Sequence, residues 1–62
     1  MCLSSAYETA NGIDKLIAER VASVVVEGDS VRLTDLFGTQ KVIPGVIKSI
    51  DLNKNIILIQ PQ

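Results

Sequence analysis

The stretch that decides the fold runs from Val24 to Gly45 and reads VVVEGDSVRLTDLFGTQKVIPG. Valine is β-branched and restricted at χ1, so the valine run at its start fits a pleated strand better than a helix. The glycine within Glu27–Asp29 can take positive φ, which lets the chain reverse there. Beyond that turn, Val31 and Leu33 alternate with polar residues in the period-2 pattern of a strand with one buried face. The stretch therefore predicts a meander of three short strands.

The segments on both sides of this meander are predicted to be strands as well, because so short a meander cannot bury its apolar face alone. Asn11–Gly12 is a strong signal for a two-residue hairpin turn, and Pro44–Gly45 is predicted to stop the strand before it. The fold class predicted is all-β, a small SH3-like barrel of about six short strands. The predicted strands are Met1–Thr9, Lys15–Ala18, Val21–Val26, Ser30–Asp35, Gln40–Ile43 and a final hairpin of Val46–Leu52 with Asn55–Gln60.

The segment Ile13–Ala22 fits two structures. Its apolar residues match one face of a helix, at Ile13, Leu16, Ile17 and Val21. A strand over Lys15–Ala18 would instead pair at once with the first strand across Asn11–Gly12. The strand is favoured, because it extends the sheet directly.

One core is predicted, formed by Val24, Val26, Val31, Leu33, Phe37, Ile50 and Leu58. Phe37 is the only phenylalanine and lies in a predicted tight loop, Leu36–Thr39, where it is expected to plug one end of the core. The segment Ile56–Ile59 is apolar at every position. One face of that strand is expected in the core and the other beneath a neighbouring strand or a partner subunit.

Length and composition indicate a single domain, residues 1–62, with little room for a core. A chain of this size buries only about 60% of its unfolded surface. The apolar fraction is nevertheless 47%, with only 3% aromatic residues, and the mean hydropathy is +0.33. The excess of aliphatic surface predicts a homodimer, for which twofold symmetry is the commonest arrangement.

The charge and the missing residue types exclude several classes of function. A net charge of -1 lacks the basic footprint of a nucleic-acid-binding protein. No apolar run approaches the roughly 18 residues of a membrane span, and one cysteine fits a reducing compartment, so the chain is expected in the cytoplasm without a membrane partner. Without histidine, the usual triads and acid–base sites are unavailable, and no enzyme is predicted. The alternative function is an RNA- or protein-binding module without metal. For RNA, Arg32, Lys41 and Lys48 would lie on one face of the sheet and contact phosphate.

Cys2 is the candidate metal ligand because of its position. A small second residue normally allows removal of the initiator methionine, which would leave Cys2 with a free amine and a thiol on adjacent carbons. Thiolate, amine and the Leu3 backbone nitrogen would form a planar S,N,N set that suits Ni(II) or Cu(II) better than tetrahedral Zn(II). A twofold dimer would bring two Cys2 side chains to one metal. The alternative is that Cys2 is a small buried hydrophobe at the start of a strand.

Four parts of the chain together resemble the CooT family, small nickel-binding accessory proteins of carbon monoxide dehydrogenase maturation: the Met1–Cys2 start, the Glu27–Asp29 turn, the segment Val31–Gly38, and Ile47–Leu52 with Ile56–Leu58. The resemblance implies a homodimer of SH3-like barrels that binds one Ni(II) per dimer through Cys2. It further implies a nickel enzyme such as carbon monoxide dehydrogenase, or its maturation factors, as the partner.

Overall fold

The computed structural model describes residues 3–62, which form a barrel of five strands. The strands are β1 (Ser4–Ala10), β2 (Ile13–Glu27), β3 (Ser30–Asp35), β4 (Gln40–Asp51) and β5 (Ile56–Pro61). Neighbours along the chain pair antiparallel, and β1 closes the barrel by pairing parallel with β5. The predicted all-β barrel is confirmed. No helix of the described residues is long and apolar enough to span a membrane.

β2 is one continuous strand where two short strands were predicted, and the helical alternative for Ile13–Ala22 is excluded. The hairpin turn before it is confirmed, since Asn11 and Gly12 both have positive φ, 55° and 76°. Arg20 also has positive φ, 54°, and marks a bend at which β2 changes partner. Val21 lies opposite Ser4 of β1 on one side and opposite Asp35 of β3 on the other. The first half of β2 therefore pairs with β1 and the second half with β3.

β4 also continues through a predicted end, and the expectation that Pro44–Gly45 stops a strand is wrong. Pro44 lies opposite Ser30 at the end of the β3–β4 pairing, and Gly45 lies opposite Pro61 at the start of the β4–β5 pairing. The missing N–H of proline is tolerated where the strand leaves one partner for the next. Gly45 has a φ of 149°, and its N–H donates to the Asp29 carbonyl at 2.8 Å. These two residues bend the strand without ending it.

The core lies inside the barrel and consists of Ala6, Val21, Val31, Leu33, Ile43, Ile57 and Ile59. Partly buried apolar side chains pack against it, at Ile17, Ala18, Val24 and Ile47. The predicted core positions Val31 and Leu33 are confirmed, and Val24 contributes at the margin of the core. The alternation in β3 identified its inner face correctly because that strand is polar on the other face.

The other four predicted core positions are wrong. Val26 is 62% exposed beside the Glu27–Asp29 turn at the end of the barrel, and Ile50 is 48% exposed beyond an irregularity in β4 that shifts its alternation. Leu58 is only half-buried, because Ile57 and Ile59 point inward. A strand that is apolar at every position does not mark its own inner face. Phe37 is 75% exposed and does not plug the core.

Candidate functional site

Cys2, the predicted nickel ligand, lies outside the residues that the structure describes. The described chain begins at Leu3, and β1 starts one residue later, at Ser4. Ser4 lies opposite Val21 of β2, and the N–H of Ser5 donates to the carbonyl of Asn55 at 2.9 Å. The start of β1 is therefore held between the bend of β2 and the turn that joins β4 to β5.

The loop after β3 lies beside the bend of β2 and is fixed by its own hydrogen bonds. One carboxylate oxygen of Asp35 accepts from the N–H groups of Phe37 and Thr39, both at 2.9 Å. The N–H of Leu36 donates to the carbonyl of Arg20 at 2.9 Å, and the Arg20 guanidinium lies 5.8 Å from the centre of the Phe37 ring. The predicted tight loop is confirmed, but these bonds direct the phenyl ring toward solvent.

The metal-ligand residues in the described part of the chain are not clustered. Residues 3–62 contain no group of three or more histidine, cysteine, aspartate and glutamate side chains that could hold a metal ion. The Asp35 carboxylate serves its own loop, and one oxygen of Asp51 likewise accepts from the N–H groups of Asn53 and Lys54. The full sequence has one cysteine and no histidine, so Cys2 is its only thiolate donor. A metal at Cys2 would be held by a thiolate, which is a donor for soft and borderline ions.

The cationic side chains do not form the predicted phosphate-binding face. In the β3–β4 pairing, Arg32 lies opposite Val42 and Leu33 lies opposite Lys41, so Arg32 and Lys41 point to opposite faces of the sheet. The Arg32 guanidinium pairs with the carboxylate of Glu27 at 2.9 Å and also donates to the side chain of Gln40. The expectation of a single face is therefore wrong, since one of its members is inward-facing and another is already paired.

The outer face of the barrel carries a row of large apolar side chains. Tyr7 of β1 lies opposite Leu16 of β2 and opposite Leu58 of β5, so the three side chains project from the same face of the sheet. Leu16 is 43% exposed, and Tyr7 and Leu58 are half-buried. Their inward neighbours Ala6 and Ile57 belong to the core, which leaves this row on the side that faces solvent. We call these three residues the outer row.

Comparison with known families places nearly the whole chain in one of them. The family model described as CO dehydrogenase accessory protein CooT matches residues 1–60. The matched range includes Cys2, the loop after β3 and both long strands.

Two curated relatives come from methanogenic archaea. An uncharacterized protein of Methanocaldococcus jannaschii is 45% identical over 60 residues, covering 97% of this chain and 98% of the relative. An uncharacterized protein of Methanothermobacter thermautotrophicus is 39% identical over 62 residues, covering 100% of this chain and 92% of the relative. The similarity therefore extends along the full length of each pair.

A solved structure has the same fold. A chain from Carboxydothermus hydrogenoformans, whose crystal structure carries the CooT name, superposes with a TM-score of 0.90 at 30% sequence identity. The match covers 98% of this chain and 98% of that chain.

Proposed function

The chain belongs to the CooT family of CO dehydrogenase accessory proteins, and we propose that it binds Ni(II) through Cys2 as a homodimer. As a member of this family, the protein has an accessory role and not a catalytic one. The bound nickel is then delivered to CO dehydrogenase or to its maturation factors.

The observation that carries the nickel proposal is the single thiolate donor of the sequence. Cys2 holds the only thiol of the sequence, and residues 3–62 offer no competing cluster of metal-ligand side chains. Thiolate is the donor that distinguishes such a site from those for Mg²⁺ or Ca²⁺, which prefer oxygen ligands. One chain supplies one thiolate, so a site with two thiolates requires two chains. Nickel is then a cargo held between protomers, which is consistent with transfer to another protein.

The homodimer proposal is supported by the outer row. Leu16, Tyr7 and Leu58 form a continuous apolar strip across three strands. None of the three belongs to the core beneath them. A twofold axis through this face would place the strip of one protomer against the same strip of its partner.

Native mass spectrometry with added nickel tests metal and assembly together. We expect a dimer that takes up one Ni(II) and absorbs light through thiolate-to-metal charge transfer. Cys2→Ser should abolish this absorption and leave the far-ultraviolet circular dichroism unchanged. The matched control is Asp51→Asn, which removes a carboxylate from the β4–β5 turn and should leave nickel binding at the parent level. Nickel binding by Cys2→Ser with the parent affinity would rule out the proposed ligand.

The pH dependence gives a second measure of the same site. An ordinary thiol has a pKa of about 8.5, and a thiolate must lose its proton to bind metal. The apparent nickel affinity should therefore rise as the pH is raised from about 6 to about 8. A variant that retains the initiator methionine should bind more weakly if the amine of Cys2 is a second ligand. An affinity that does not change with pH would contradict thiolate binding.

A further inference from the structure

Within residues 3–62, the first half of β2 has an unpaired backbone edge. Between Ile13 and Glu19 this strand pairs only with β1, because its pairing with β3 starts at Val21. The first part of β4, Gln40–Ile43, likewise pairs only with β3. The free edge of β2 is the one on the side of β3, and beyond it lie the end of β3, the loop after β3 and the start of β4.

A cleft of about 390 Å³ lies beside this edge of β2. Its apolar walls include Ile17, Val21 and Leu33, of which the last two belong to the core. The polar residues of its lining are Glu19 and Arg20 of β2, Asp35 of β3, Thr39 of the loop after β3 and Lys41 of β4. The volume falls in the range of sites that hold a small ligand or one to two side chains of a peptide.

The Lys41 side chain reaches across the cleft from β4 to β2. Lys41 is exposed, but its position opposite Leu33 places it on the inner face of the sheet, and its ammonium group donates to the carbonyl of Ile17 at 2.6 Å. That contact also shows that the Ile17 carbonyl on the edge of β2 points into the cleft.

The charge of Lys41 is not matched by a carboxylate in the described residues. The ion pairs found there join Arg20 to Glu19 and Arg32 to Glu27. Asp35 also lines the cleft, but its carboxylate accepts the hydrogen bonds of its own loop. An ammonium group has three donors, and one neutral carbonyl satisfies only one of them. The cleft thus offers a cation to an incoming anion.

We propose that this cleft binds the C-terminal end of an extended peptide from a partner protein. The peptide backbone pairs with the free edge of β2, its terminal carboxylate pairs with Lys41, and its last aliphatic side chain enters the cleft between Ile17 and Leu33. Strand addition to an open edge is a common mode of peptide recognition. A lysine on an open edge discourages unspecific pairing. Here Lys41 favours the binding of a peptide strand that ends in a free carboxylate over one that does not.

A titration of ¹⁵N-labelled protein with synthetic peptides tests the proposal. The probe is acetyl-Thr-Val-Ile-Val with a free carboxylate, compared with the same peptide as the C-terminal amide. We expect saturable amide shifts over residues 14–21 and at Lys41 with the acid, and about tenfold weaker binding of the amide because a charged hydrogen bond is lost. A peptide N-methylated on alternate backbone nitrogens should not bind, since it cannot pair with the edge.

Lys41→Met isolates the cation, and Lys48→Met is the matched control on the same strand. Lys41→Met should bind the acid about tenfold more weakly than the parent and no longer distinguish acid from amide. Lys48 does not line the cleft, so Lys48→Met should behave as the parent. If Lys41→Met does not fold, the comparison of the acid peptide with the amide peptide on the parent protein still tests the proposal.

Several results would overturn the proposal. They are the absence of saturable shifts at about 1 mM peptide, equal affinity for acid and amide, or shifts confined to another face of the barrel. Binding of N-acetylvaline as tight as that of the tetrapeptide would show a site for small carboxylates and refute strand addition. The nickel site does not enter this experiment, so its outcome is independent of the proposed function.

Discussion

Leu33 and Phe37 are large apolar side chains four positions apart, yet they have opposite surroundings. Leu33 is 1% exposed and packs in the core, whereas Phe37 is 75% exposed at the tip of its loop. The carboxylate of Asp35 sets this difference, because it binds the N–H of Phe37 and directs the next residues away from the barrel. The side chain of Phe37 then contacts the guanidinium of Arg20 in place of the core.

Truncation of these two residues should have unequal effects on stability. Leu33→Ala should lower the free energy of unfolding by about 2–5 kcal/mol, because it removes buried methyl groups and leaves a cavity. Phe37→Ala should lower it by about 1 kcal/mol or less, the value of an exposed cation–π contact. Urea denaturation followed by circular dichroism measures both. A loss for Phe37→Ala as large as that for Leu33→Ala would mean that the ring is buried after all.

β2 and β4 determine the barrel at the scale of elements, because each of them is long enough to pair with two partners in turn. β2 changes partner at Arg20, and β4 changes partner at Gly45, where the chain bends sharply toward β5. A side chain is excluded at that bend, since a Cβ on Gly45 would overlap the carbonyl oxygen of Gln60 in the adjacent strand. Its φ of 149° is also a conformation that other residues rarely adopt.

Gly45→Ala should therefore destabilise the protein by about 3 kcal/mol, through backbone strain and overlap with β5. Gly12→Ala is the matched control. Gly12 also has positive φ, but a Cβ there would meet no atom within 4 Å, so the expected loss is about 1 kcal/mol. Thermal unfolding of the two variants compares them. Equal losses would show that β5 does not approach β4 closely at the bend.

The whole molecule presents more large apolar side chains than its core can hold. The described residues have principal extents of 31 × 24 × 15 Å, so the barrel is thin along one direction. Exposed apolar residues in this part of the chain include Ile13, Leu16, Val26, Val42, Val46 and Leu52. Of these, only Leu16 belongs to the outer row, where it continues the strip formed by Tyr7 and Leu58.

Leu16→Lys should shift the proposed dimer toward monomer, because it places a charge within an apolar strip that would be buried. The dissociation constant should rise by about tenfold or more, as expected when a charge enters an apolar contact that is buried in the interface. Ile13→Lys is the control, since Ile13 is 70% exposed and lies outside the outer row. Sedimentation equilibrium measures the assembly of both variants. A dimer of undiminished strength in Leu16→Lys would place the interface on another face.

The sequence by itself determined the features that depend on a few neighbouring residues. The bounds of β3 and the turns at Asn11–Gly12 and Glu27–Asp29 follow from alternation and from glycine conformation, and the structure confirms them. The hypothesis of a thiolate metal site also comes from sequence alone, because it depends on donor chemistry at Cys2.

Tertiary structure alone decided the features that depend on contacts between distant segments. The continuity of β2 and β4 depends on partners that take over the pairing at each bend, and no local pattern records such an exchange. The inner face of β5 was likewise set by its neighbours, because every position from Ile56 to Ile59 is apolar. The cleft brings Lys41 to the carbonyl of Ile17, which lies 24 positions earlier in the chain. Such a contact exists only when the barrel is closed. The pairing of β3 with β2 and with β4 determines how far the start of β4 lies from the first half of β2.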